Sequence, residues 1–147
     1  SKSDAPEIEA LLKEVWQSAT EYPEEWRIKR ALRKEEIIEE MEHGYLYFGI
    51  RISGRIAGMY KASIDGETIF GEHQSILPEY RGMGLATAMY AHIVPFAREQ
   101  KCKRILVNIL INQVASRRLV EKFGFHETGE PYEQAKGMPV QMYEKQV

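Results

Sequence analysis

Apolar residues at Ile8, Leu11, Leu12 and Val15 recur at i, i+3, i+4 and i+7, which predicts a helix with one buried face. Asp4 stands where a cap belongs, and Glu7 follows three residues later. Tyr22-Pro23 interrupts that helix, and a charged segment over about 24–42 resumes helical spacing through Ile28, Leu32, Ile37, Ile38 and Met41 before stopping at His43-Gly44. A β-rich block comes next: 45–52, a Ser53-Gly54 turn, 55–64, an Asp65-Gly66 turn and 68–77, an antiparallel meander. Beyond Gly84 a second amphipathic helix carries Leu85, Met89, Ile93 and Phe96 on one face, and Pro95 should kink or shorten it. Residues 104–111 read as a buried strand, 113–123 as a helix closed by Gly124, and 125–130 and 140–145 as two short strands. Strand, glycine turn, helix, strand and helix in succession imply a crossover between parallel strands. The expected fold is therefore α/β (α+β), with a mixed, mostly antiparallel twisted sheet flanked by about four helices. No repeat, low-complexity run or linker divides the chain, so 1–147 is expected to be a single domain.

Composition narrows the function classes. The 147 residues are 44% apolar and 29% charged, as in ordinary globular chains. Twenty Lys and Arg against 22 Asp and Glu leave a net charge of −2, with no basic excess to suit a nucleic-acid partner. No apolar run reaches the roughly 18 residues that cross a bilayer. The opening Ser1-Lys2-Ser3-Asp4 lacks a signal-peptide pattern, so no membrane association and a cytoplasmic location are expected. Cys102 is the single cysteine, which excludes an intrachain disulfide and a cysteine metal cluster. Its neighbours Lys101, Lys103 and Arg104 would favour a thiolate, but no base lies nearby in sequence, and a surface-loop cysteine is expected.

The segment Pro78 to Thr87 carries the chemistry. A helix start leaves its first N–H groups without intrahelical partners and bears partial positive charge, so the N–H groups of Gly82, Met83, Gly84, Leu85, Ala86 and Thr87 can face a phosphate. Arg81 adds a planar donor and Thr87 a hydroxyl. A dinucleotide fingerprint fails because Thr87 stands where the third glycine belongs, and no Gly-Lys-Ser/Thr follows for a P-loop. A glycine loop that merely turns the chain is the plain alternative.

Arg81-Gly82-Met83-Gly84-Leu85-Ala86 resembles the R/Q-x-x-G-x-G/A signature of the GNAT superfamily of acetyl-CoA-dependent N-acetyltransferases. About 30 residues on, the stretch Asn112 to Phe125 is similar to the same family's second motif, with Asn112, Ala115, Leu119 and the closing Lys122-Phe123-Gly124-Phe125 in place. The resemblance implies transfer of an acetyl group from acetyl-CoA to a primary amine, small-molecule or peptide, by direct attack in a ternary complex. It implies that the glycine turn binds the pyrophosphate of coenzyme A, that the backbone of Gln74, Ser75 and Ile76 holds the pantetheine arm, and that Asn112 hydrogen-bonds that arm or orders its turn. An N-cap for the helix starting at Gln113 is an equal reading of Asn112. Homodimers are common in the family, but the sequence shows no specific interface signal.

Two departures matter. Relatives usually open with a strand before the first helix, whereas this chain begins almost at the helix cap. Val120 holds the position where many relatives carry the tyrosine that protonates the departing thiolate. Tyr132 is a candidate substitute, with a packing or surface tyrosine as the plainer account. A lysine-type amine is neutral in only about one molecule in 10³ at pH 7, so a base beside the acceptor is needed. Glu72 is the candidate, on one strand face with Gln74 and Ile76; His73, opposite with Ser75, is the alternative base. The acceptor pocket is expected over about 16–33, with Trp16, Tyr22 and Trp26 among mixed charges that select no acceptor class. A non-catalytic acyl-CoA-binding or sensory module is the second reading, favoured by Val120. A structural interaction protein with no cofactor is the third.

Overall fold

The computed structural model describes residues 1–147. The order of elements is α1 (Ala5–Ser18), α2 (Glu24–Arg30), α3 (Lys34–Glu42), β1 (Leu46–Ile52), β2 (Arg55–Asp65), β3 (Thr68–Ile76), α4 (Leu85–Glu99), β4 (Arg104–Leu110), α5 (Val114–Lys122), β5 (His126–Ala135) and β6 (Met138–Gln146). The six strands form one sheet in the order β1-β2-β3-β4-β6-β5. The β1/β2, β4/β6 and β5/β6 pairs are antiparallel, while β3 and β4, joined through the α4 crossover, are parallel. The expected α/β (α+β) class and the mixed sheet stand, with five helices rather than four.

Two compact units divide the residues: 1–63 with 73–86, and 64–72 with 87–147. In the first, Ile8, Leu11, Leu12 and Val15 of α1 are all buried, as their spacing demands. Along β2, Ile56, Ala57, Met59, Tyr60, Lys61 and Ala62 are all buried, the mark of a strand covered on both faces. Buried Lys61 is satisfied by Glu40, whose two oxygens lie 2.9 and 3.0 Å from Nζ; the same carboxylate accepts from the Tyr47 hydroxyl. In the second unit, Met89, Ile93 and Ala97 of α4 are buried, and β4 contributes Ile105, Leu106, Val107, Ile109 and Leu110. Gly71 sits so close to α4 that an added Cβ would lie 2.9 Å from Ile93 Cδ1.

Several local expectations are corrected. Asp4 flanks α1 without a side-chain capping bond and instead pairs with Arg51 at 3.2 Å; Glu7 accepts from the Ile56 N–H at 2.8 Å. The charged segment 24–42 is two helices, because α3 has its own start. Glu36 accepts from the Arg33 N–H at 3.1 Å, which holds its carboxyl below the usual range, and Glu9 of α1 accepts from the Lys34 N–H at 2.7 Å. Pro95 lies inside α4 without shortening it. Its own position and Ala91, whose carbonyl loses its helical donor, are both exposed, so water can serve that carbonyl.

The two closing strands are longer than expected and join through a turn at Lys136-Gly137. Between Thr128 and Tyr132 their register breaks, and the buried Gln141 amide donates to the carbonyls of Thr128 and Gly129, both at 3.1 Å. Cys102 is buried at 4% exposure, not in a surface loop, and burial pushes its thiol up, with Glu67 adding to the rise. The flanking cations do not yield a thiolate.

Candidate active site

The glycine turn follows from how β3 ends. Leu77 N–H closes onto Ala57 O at 2.9 Å, Pro78–Tyr80 make one 3₁₀ turn, and Arg81 returns to extended backbone. Gly82 and Gly84 then take φ of +77° and +81°, which other residues adopt only at a cost, and α4 begins at Leu85. No atom lies within 4 Å of a Cβ built on either glycine, so backbone conformation, not crowding, demands them, and the space above them is open. Buried Leu85 anchors the turn, while Arg81, Met83 and Thr87 stay exposed and Ala86 half-buried. An open, left-handed glycine pair leading into the unpaired N–H groups of a 15-residue helix is a fitting cradle for a pyrophosphate.

Immediately upstream, β3 has its own irregularity. The parallel ladder covers Thr68–Gly71 against Arg104–Val107, and β3 runs on to Ile76. His73 sits in that extension at φ 62°, a left-handed residue within a strand, which kinks the chain. Burial alternates as expected: Glu72 and Gln74 are exposed, His73 and Ser75 buried. The Ser75 hydroxyl donates to His73 O at 3.1 Å and accepts from Trp16 Nε1 at 3.2 Å, so any ligand there meets the backbone of Ser75, not its side chain.

His73 is not a usable base. Burial above all, then the charges of Arg30 and Lys61, lower its pKa to about 3. The neutral ring donates from Nε2 to Arg30 O at 2.8 Å, which ties the end of α2 to the kink. Glu72 thus remains the one exposed carboxylate of β3.

In the second unit, Asn112 lies exposed in the turn before α5, and Gln113 is the N-cap without a side-chain capping bond; the capping role considered for Asn112 is not adopted. Val120 is fully buried in α5. Tyr132 lies on β5 opposite Val140 and is 44% exposed.

Sequence spacing did not foresee how the first unit's aromatics hold a cation. Trp16, Tyr22 and Trp26 form a group of rings 5.0–5.8 Å apart, and Arg30 Cζ lies over the Trp26 ring, 4.2 Å from its centroid. The available signal was the four-residue interval from Trp26 to Arg30, one turn of helix.

Residues 8–125 match the model of the acetyltransferase (GNAT) family, and the chain belongs to that family. Solved structures agree in fold. The ribosomal-protein-S18-alanine N-acetyltransferase of Escherichia coli superposes with a TM-score of 0.79 at 14% identity, covering 100% of this chain and 90% of the other. The PaiA N-acetyltransferase of Thermoplasma acidophilum, solved with coenzyme A, gives 0.81 at 15% identity, covering 100% and 95%. A ribosomal-protein-alanine N-acetyltransferase of Brucella melitensis gives 0.80 at 17%, covering 100% and 96%. A sequence search of curated proteins returns no significant match.

Proposed function

We propose that residues 1–147 act as one cytoplasmic acetyltransferase domain that moves an acetyl group from acetyl-CoA to a primary amine by direct attack in a ternary complex. A small-molecule acceptor is favoured over a protein. The observation that carries this reading is the open Gly82/Gly84 turn at the start of α4. The cofactor supplies a thioester, and in the exchange an N–C bond replaces the C–S bond while the amine loses one proton and the sulfur gains one.

This chain's residues hold, orient and deprotonate. N–H groups from Gly82 to Thr87 bind the pyrophosphate, and Arg81 adds charge. The backbone of Gln74, Ser75 and Ile76 pairs with the pantetheine arm as an added strand, and one of its N–H groups polarises the thioester carbonyl. Asn112 supports the arm. Glu72 takes the proton from the acceptor, directly or through water. Tyr132 is the proposed donor to sulfur.

Buried Val120 supports the second reading, an acyl-CoA-binding module without turnover. Calorimetric titration with acetyl-CoA, with ATP for comparison, tests the cofactor, and amide formation with an amine panel separates enzyme from module. Arg81→Ala should weaken acetyl-CoA binding about tenfold, the value of one charge-assisted hydrogen bond. Unchanged affinity would remove Arg81 from the phosphate site.

A further inference from the structure

Trp16 and Ser75 are joined by a hydrogen bond whose direction is fixed. An indole N–H can only donate, so Ser75 Oγ accepts from Trp16 Nε1 at 3.2 Å. The one proton of the hydroxyl is left for the His73 carbonyl, 3.1 Å away. All three residues are buried, where two hydrogen bonds in series strengthen each other and water competes little. Behind them Trp16 is itself held, edge to face against Trp26 with ring centroids 5.2 Å apart and tilted against Tyr22 at 5.8 Å.

The consequence lies across one peptide plane. The bond from His73 to Gln74 is trans, as are all in the chain, so the Gln74 N–H points opposite to the His73 carbonyl. A carbonyl held towards the buried Ser75 hydroxyl therefore turns that N–H the other way. Strand alternation gives a second, independent constraint: Leu77 N–H bonds to Ala57 O of β2, which leaves the N–H groups of Gln74 and Ile76 facing away from β2. His73 is also where a hold matters, because its φ of 62° is a left-handed conformation that a residue with a side chain adopts at a cost. Released from Ser75, this backbone would relax towards the extended form and swing the peptide with it.

Resting on the transferase reading above, we propose that Ser75, backed by Trp16, is a positioning residue that aims the Gln74 N–H at the thioester carbonyl of acetyl-CoA. The N–H stabilises the negative charge that gathers on the carbonyl oxygen as the amine attacks, and because it is already aimed it need not reorganise. It keeps its own proton throughout; the bonds made and broken are those of the transfer itself. A serine that merely filled its place in the core would contribute to stability alone.

Ser75→Ala removes the relay and leaves the glycine turn untouched, and two readouts on the full chain test it. In turnover with acetyl-CoA and an amine panel of spermidine, lysine and alaninamide, kcat should fall about tenfold or more while acetyl-CoA affinity by calorimetry stays nearly unchanged. In infrared difference spectra of bound acetyl-CoA isotope-labelled at the thioester carbonyl, the parent should shift the C=O stretch to lower frequency than the free ligand, and Ser75→Ala should lose that shift. Trp16→Phe acts through the same hydroxyl, so the double variant should lose no more kcat than Ser75→Ala alone. A Ser75→Ala protein that is less stable yet keeps both kcat and the carbonyl frequency would overturn the proposal, as would a double variant whose loss is the product of the single losses. No product from any amine despite acetyl-CoA binding overturns the transferase reading, and the infrared shift then decides the role of Ser75 by itself. No binding of acetyl-CoA overturns both.

Discussion

Two adjacent residues of β3 separate chemistry from structure. Glu72 faces solvent on the strand face expected of it, whereas His73 points into the first unit and spends Nε2 on the carbonyl of Arg30. Glu72→Gln should therefore lower turnover while leaving acetyl-CoA affinity nearly unchanged; unaltered turnover would take Glu72 out of the mechanism. His73 should instead show itself in stability. Its folded pKa of about 3 lies below the ordinary 6.5, so between those values the unfolded chain binds more protons. The contribution of His73 to stability is then fully present above pH 6.5 and is lost as pH is lowered towards 3. His73→Asn keeps a donor and tolerates the left-handed backbone but does not titrate. Urea melts at pH 7 and 5 should show a smaller loss in the variant than in the parent, and parallel losses would contradict the assignment. Strand alternation alone assigns both residues to their faces. The sign of φ at His73 was not legible, because nothing local in the sequence announces a left-handed histidine.

Long periodic elements were readable and remote capping was not. The α1 face and the strands β1 to β4 fell close to their expected bounds because burial dictated the pattern. The break between α2 and α3 escaped because Glu9, 25 residues away, and His73, 43 residues away, satisfy the backbone groups around it. Likewise β5 ran longer than its composition suggested, since the buried Gln141 amide serves the carbonyls at its register break. Pro95 is the opposite case, a helix breaker tolerated where its lost bond faces water. Pro95→Ala should therefore stabilise α4 by up to about 3 kcal/mol, read as a higher urea midpoint with an unchanged slope. A lower midpoint would show that the proline packs favourably in its present place.

At the scale of the whole molecule, two short motifs in the right order sufficed to anticipate the family, whose model spans most of the chain. They say nothing of the acceptor, because the pocket proposed for it is spread over segments that neither motif contains. The same dispersal applies to the sole thiol. Cys102 lies 4% exposed at the start of the segment entering β4, its N–H bonded to Ala97 O at 2.9 Å. A thiol reagent reaches it readily only when this part of the second unit opens, so its labelling rate is a clock for that local opening. With that background silent in the closed protein, a single cysteine placed elsewhere on the surface would be the only fast-reacting position, and probes could be attached there without first removing the native one.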